Sequence, residues 1–172
     1  MPMKILIILI VLFTAVVAVF ALFNKSDSVK LANLIAEIEK KQPIKPEEVV
    51  KILGFKLNIA SQQPNPYFVI RTGKAENGKY IALVDTVELR TPKDTGKGGL
   101  LIIDLNNKQK TNAQYFEKLY PNHAFELASA TAPLSVPNAI IVKKSWGTLR
   151  LGVSRDGSSR IQMLSFDAVK KS

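Results

Sequence analysis

Residues 5–23, ILIILIVLFTAVVAVFALF, divide the chain into two unlike parts. The stretch is apolar except for Thr14 and carries no charge. As an α-helix it would be about 28 Å long, close to the roughly 30 Å thickness of the hydrocarbon core of a bilayer. After Asn24 the sequence changes to mixed charge, turn signals and short apolar runs. We therefore predict a single-pass membrane anchor over residues 1–24 and one folded domain over residues 25–172.

A cleaved signal peptide is the alternative interpretation of the apolar stretch. Lys4 and the terminal amine would provide its charged start, and residues 19–21 would provide a poor cleavage site. The apolar run continues past that site and exceeds the about 7–15 residues of a usual signal core, which favours a retained anchor. The very short tail before the run favours export, whereas the lysines that follow it favour retention in the cytoplasm. We predict an inner-membrane protein with its domain on the periplasmic side.

The chain of 172 residues has 24 basic and 14 acidic residues, a formal net charge of +10. Most of the basic residues are lysines, which are solvated point charges, rather than arginines, whose planar groups suit phosphate. The membrane anchor argues against nucleic acid as the partner. We expect an acidic protein partner. Anionic lipid headgroups and cell-wall polymer are the alternatives, and a lysine-rich surface that only maintains solubility explains the charge equally well.

Two helices are expected at the start of the domain. Asp27 or Ser28 would cap the first, which would end near Lys41. The second would begin at Pro46 and end at Gly54. The apolar residues of the first helix recur at i, i+3, i+4 and i+7, which predicts one buried stripe: Leu31, Leu34, Ile35 and Ile38.

The sequence of the second helix, PEEVVKILG over residues 46–54, resembles the helix of small envelope lipoproteins that act in outer-membrane assembly. Those lipoproteins carry their lipid on a cysteine. This chain has no cysteine, so the resemblance implies no further property.

The sequence from Tyr67 onward predicts β-strands. Asn77-Gly78 is a strong hairpin signal between expected strands over residues 67–71 and 79–84. The unbroken apolar run LLIIDL, residues 100–105, predicts a central strand covered on both faces. Thr111 is expected to cap a short helix over residues 112–120. The later strands are expected over residues 139–142, 148–153 and 160–166.

The expected strands are joined by hairpin turns, and the expected helices are largely segregated from the strands. This pattern predicts an α+β domain with a mainly antiparallel sheet. The sequence shows no internal repeat. In the last hairpin, residues 155–157 would form a three-residue loop with Gly157 in the left-handed conformation. That register would place Leu151 opposite Ile161 and Leu149 opposite Met163.

The same register would set Arg150 and Arg160 together on the other face of the hairpin. Because three of the five arginines of the chain lie in this hairpin, we predict Arg150, Arg155 and Arg160, with the single tryptophan Trp146, as partner-binding residues. Two alternatives stay open. Edge-strand charges can serve only to prevent aggregation between sheets, and Trp146 can belong to the core.

The residues that could support catalysis are few. Residues 73–79 match GxxxxGK but lack the following Ser or Thr and the helix of a phosphate-binding loop. The glycine-rich loop over residues 93–99 could bind an anion through its amides, although a hairpin tip explains it better. With His123 as the single histidine and no cysteine, the usual transition-metal and nucleophile sites lack their residues. Scattered carboxylates make an enzyme the least favoured class.

The expected function is therefore a membrane-tethered, non-catalytic protein-interaction module of the cell envelope. It would act as an assembly accessory or as an inhibitor of a toxin, without a cofactor or a metal. A domain that binds anionic polymer or lipid headgroups is the alternative.

Overall fold

The computed structural model describes residues 26–60, 65–94 and 99–168. The predicted anchor and most of the glycine-rich loop lie outside these residues. Within them, three helices and an eight-stranded antiparallel sheet confirm the α+β class. The helices are α1 (Asp27–Glu39), α2 (Pro46–Leu53) and α3 (Ala113–Leu119). The strands are β1 (Asn58–Ile59), β2 (Phe68–Lys74), β3 (Val84–Pro92), β4 (Gly99–Leu105), β5 (Ala124–Glu126), β6 (Asn138–Lys144), β7 (Gly147–Val153) and β8 (Ile161–Ala168).

None of the helices in the described ranges has the length and the hydropathy needed to cross a membrane. The membrane anchor over residues 5–23 therefore stays a prediction from the sequence.

Helix α1 begins one residue earlier than expected. Its cap is Ser26, whose hydroxyl accepts a hydrogen bond from the backbone N–H of Val29 at 3.4 Å, so the predicted caps Asp27 and Ser28 are wrong. Both of these side chains accept hydrogen bonds from backbone N–H groups of the β4–α3 loop instead, at 2.8 and 3.0 Å. The predicted apolar stripe of α1 is confirmed, since all four of its residues are buried.

The other two helices begin in different ways. Helix α2 begins at Pro46, and Gly54, in the left-handed conformation, caps its C-terminal end, as predicted. Helix α3 is capped by Asn112, whose side chain accepts a hydrogen bond from the N–H of Gln114 at 2.8 Å, and not by Thr111. The Thr111 hydroxyl is buried and accepts a hydrogen bond from the N–H of Ile161 at 3.1 Å.

The eight strands form one sheet in the order β1-β2-β3-β4-β8-β7-β6-β5. Alternate residues of the central strands form a single core with the buried residues of the helices, so the helices cover one face of the sheet. Leu101 and Ile103 of β4 belong to this core, whereas Leu100 and Ile102 on the opposite face are only half-buried. The central position of LLIIDL is thus confirmed, but its expected coverage on both faces is wrong.

The hairpin predicted at Asn77-Gly78 is wrong in its second strand. Residues 75–83 form a long loop, and β3 begins only at Val84. The buried side chains of Tyr80 and Leu83 draw this loop onto the core, which prevents a two-residue turn. The two edge strands, β1 and β5, were not predicted, since strands of two or three residues carry no period.

The predicted register of the last hairpin is also wrong. Residues 154–160 form a seven-residue loop, closed by a hydrogen bond from the N–H of Ser154 to the carbonyl of Arg160 at 2.8 Å. In β8, Leu164 lies opposite Leu151 and Phe166 lies opposite Leu149. The larger loop lets these two bulky side chains, rather than Ile161 and Met163, pair with the β7 leucines on the covered face.

The topology repeats although the sequence does not. Residues 46–105 contain one helix followed by the four strands β1 to β4, and residues 113–168 contain one helix followed by β5 to β8. The strand order is the same in each half when counted from the edge inward, and β4 and β8 meet in the middle. Helix α1 has no counterpart in the second half.

Candidate partner-binding surface

The face of the sheet opposite the helices, the open face, has no described helix above it. Strand pairing places Ile102 near its centre, opposite Glu88 of β3 on one side and Ser165 of β8 on the other. The half-buried apolar residues of the open face are Ile70, Leu100, Ile102, Ala139, Ile141 and Met163. These residues lie on four strands, β2, β4, β8 and β6, so the apolar surface extends across most of the sheet.

Charged residues lie among and around these apolar residues, in equal numbers of each sign. The basic residues are Lys74, Arg90, Lys143 and Arg150, and the acidic residues are Glu88, Asp104, Glu126 and Asp167. Several of them bond to one another. The Arg90 guanidinium lies 2.5 Å from the Glu88 carboxylate, and that of Arg150 lies 2.9 Å from Glu126. The excess positive charge of the chain is therefore not concentrated on the open face.

The four predicted partner-binding residues are not brought together. Arg150 lies on the open face, whereas Arg160 lies in the 154–160 loop, where its guanidinium donates to the carbonyl of Asn107. The expectation that these two arginines share a strand face is wrong, because β8 begins after Arg160. Their role in binding stays a prediction.

The other two predicted residues also have separate surroundings. The Arg155 guanidinium donates to the carbonyl oxygens of Ala132 and Pro133, both at 3.2 Å. Trp146 is half-buried on the covered side, where its ring stacks on Phe166 with centroids 6.0 Å apart. The alternative interpretation of Trp146, packing against the core, therefore describes its contacts.

The titratable cluster beside helix α1 consists of Glu37, Lys79 and Tyr80. Lys79 donates to the Glu37 carboxylate at 2.5 Å, at the rim of a groove of about 380 Å³. This hydrogen bond lowers the pKa of Glu37 and raises the pKa of Lys79, while burial raises the pKa of Tyr80. All three shifts favour the charge states that these groups already have at neutral pH. The cluster is thus suited to an ion pair rather than to proton transfer.

Within residues 26–60, 65–94 and 99–168, no three side chains of the His, Cys, Asp and Glu types gather closely enough to hold a metal ion. His123 bonds locally, with its Nδ1 2.7 Å from the carbonyl oxygen of Tyr120. Burial raises the pKa of Tyr120, and the nearby Glu39 carboxylate adds to that effect.

No protein-family model, curated protein or solved structure matches the chain.

Sequence reasoning missed the open face as a surface. The alternation of Glu88 and Arg90 with Val87 and Leu89 in β3 was the available signal, since period 2 separates the two faces of a strand. The run LLIIDL masked the same signal in β4, because its residues are apolar on both faces.

Proposed function

We propose that this chain is a membrane-tethered, non-catalytic protein-interaction module of the cell envelope, and that its open face docks a partner protein. The observation that carries the proposal is the apolar centre of that face, which no described helix covers. Non-obligate protein–protein interfaces likewise combine apolar contacts with polar and charged groups.

The charges of the open face support a protein rather than a polymer as the occupant. Its basic and acidic residues are equal in number and partly bonded to one another, which suits a partner surface of mixed charge. A uniformly anionic polymer would meet Glu88, Asp104, Glu126 and Asp167 as repulsive groups. The acidic groups that we propose for the partner would lie at the rim, beside exposed lysines such as Lys74 and Lys143, where charge acts mainly on the association rate.

The tether is the second part of the proposal and is supported by the apolar sequence of residues 5–23. Mass analysis of the protein extracted from membranes should find Met1 or Pro2 still present. Protease added to spheroplasts should digest the domain. A mature N-terminus near Leu22 would contradict the retained anchor, and a protected domain would contradict the periplasmic orientation.

The docking face is tested by photo-crosslinking in native membranes. A photoreactive amino acid replaces Ile102 at the centre of the open face, and in a control chain it replaces Gln114, which is exposed on α3. We expect one discrete protein adduct from position 102 and none from position 114. The same adducts from both positions, or adducts from position 114 alone, would contradict the proposal.

A further inference from the structure

The chain enters the domain from the predicted anchor at one end. Several segments are bonded to one another at that end and form one surface, which we call the tether pole. It consists of the start of α1 and three loops, residues 106–112, 132–136 and 154–160. Asp27 accepts a hydrogen bond from the N–H of Lys110, and the N–H of Ala113 donates to the carbonyl of Ser159 at 2.8 Å. Through Arg155, the 154–160 loop also binds the carbonyl oxygens of residues 132 and 133.

The tether pole is basic. Its charged residues are five basic, Lys30, Lys108, Lys110, Arg155 and Arg160, and two acidic, Asp27 and Asp156. Lys108 and Lys110 are exposed, and it is their backbone N–H groups that donate to the side chains of Asn106 and Asp27, at 2.9 and 2.8 Å. The folding of distant segments thus gathers an excess of positive charge that the sequence distributes over 130 residues of chain.

The same surface carries exposed apolar side chains. Leu134 is 74% exposed and Val136 is 43% exposed, in a segment that belongs to no strand. The segment is nevertheless fixed, because its carbonyl oxygens accept hydrogen bonds from Arg155 and, at Ser135, from the Gln162 side chain at 3.3 Å. Exposed leucine beside lysine and arginine is the composition of surfaces that lie in the headgroup region of a bilayer.

The position of α1 along the chain places the start of the tether pole near the membrane surface if the anchor spans the membrane. Only three residues separate Phe23, the last apolar residue, from Asp27, the first residue of α1. An extended chain advances at most about 3.6 Å per residue, so the start of α1 lies within roughly 14 Å of the end of the anchor. The headgroup layer begins at that same boundary.

We propose that the tether pole rests on anionic lipid headgroups, with Leu134 at the interface, and so fixes the orientation of the domain on the membrane. This inference uses the tether of the proposed function but not the open face, which would remain free for its partner. Each basic residue near an anionic surface strengthens binding about fivefold. Reversing the charge of two lysines should therefore weaken the contact at least about 25-fold.

The test uses the absence of cysteine from the chain, which allows one label per molecule. The full chain is inserted into nanodiscs as Ser135→Cys, labelled with a fluorophore at the pole, or as Ser145→Cys, labelled at the β6–β7 turn. The discs contain phosphatidylcholine with a headgroup nitroxide quencher, with or without phosphatidylglycerol. Lys108→Glu with Lys110→Glu is the test variant, and Lys93→Glu with Lys118→Glu, both exposed and outside the pole, is the matched control.

We expect quenching at position 135 to exceed that at position 145 and to increase with phosphatidylglycerol. The increase should disappear in the test variant and at high salt, where the Debye length falls to about 3 Å, and should persist in the control variant. Quenching at position 135 that responds neither to phosphatidylglycerol nor to the test variant would overturn the proposal.

A failure of the tether gives a different result. If the chain does not remain with the discs, the anchor of the proposed function is wrong, and the labelled chain is then added to phosphatidylglycerol vesicles. Binding that the test variant weakens and the control variant does not would still support the pole. Lack of binding to these vesicles, or equal weakening by both variants, would overturn it.

Discussion

The two halves of the domain share a topology but differ in how they are covered. Helix α1 precedes both halves and is bonded to each of them, to Lys79 through Glu37 and to Lys144 through Glu39. In the first half, residues 46–105, α2 and the 75–83 loop contribute buried residues to the core. In the second half, residues 113–168, α3 is the one described helix, and a two-residue turn replaces the long loop. The second half also exposes more large apolar side chains, among them Phe125, Leu127 and Leu134.

This difference indicates a division of roles within one sheet. The first half has a folded loop besides its helix to exclude water, so its residues serve mainly stability. The second half supplies two of the four segments of the tether pole and exposes more large apolar side chains, so more of its surface is available for contacts. Both halves contribute equally to the open face, because β4 and β8 meet at its centre.

The largest expected effect concerns the single helix of the second half. Phe116 is fully buried, whereas its neighbour Tyr115 is 36% exposed and contacts it edge to face at 5.2 Å. Phe116→Ala should lower the free energy of unfolding by about 3–5 kcal/mol, and Tyr115→Ala by less than about 1.5 kcal/mol. Urea denaturation of the two variants measures both. Equal losses would mean that α3 does not cover this half through one buried ring.

The next prediction concerns the two-residue β6–β7 turn of the second half, which Gly147 follows. Gly147 has φ of +149°, and a Cβ there would lie 2.0 Å from the carbonyl oxygen of Asp167. Gly157 has φ of +84° with open space around it. Thermal unfolding should show that Gly147→Ala costs roughly 3 kcal/mol or more, and Gly157→Ala only about 1–2 kcal/mol. A larger loss at Gly157 would contradict the turn geometry of this half.

The ion pairs of the open face provide a smaller effect in each half. The pairs Arg90–Glu88 and Arg150–Glu126 are both partly exposed. Double-mutant cycles should give coupling energies of about 0.2–1 kcal/mol for either pair, because water screens the charges. A coupling several times larger at one pair would show that the two halves of the open face are not equivalent.

A feature of the fold or of the surfaces could be predicted from the sequence when the residues that determine it lie close together in the chain. Leu31, Leu34, Ile35 and Ile38 form a helical stripe within eight residues, so the sequence alone located α1. The loop over residues 75–83 was missed because the burial of Tyr80 depends on helices that are distant in sequence. The tether pole was missed for the same reason, since Lys30, Lys108 and Arg155 meet only in the folded chain.

The smallest effect concerns Asp156 in the loop of the tether pole. Hydrogen bonds from the Ser158 hydroxyl and N–H, with a further one from Ser154, hold the pKa of Asp156 at about 2, below its ordinary value of 3.8. The ionised carboxylate therefore stabilises the loop above about pH 4, and this contribution is lost as the pH falls toward 2. Titration followed by NMR should show the low pKa of Asp156, and Ser158→Ala should raise it. An unchanged pKa in Ser158→Ala would contradict these hydrogen bonds.

The central claim is that the open face binds a protein, and affinity for the partner captured at position 102 tests it most directly. The purified full chain is compared with Ile102→Glu, which places a charge at the apolar centre, and with the control Gln114→Glu. We expect at least roughly tenfold weaker binding for a folded Ile102→Glu variant and unchanged binding for Gln114→Glu. Equal affinity of the parent and a folded Ile102→Glu variant would contradict the account.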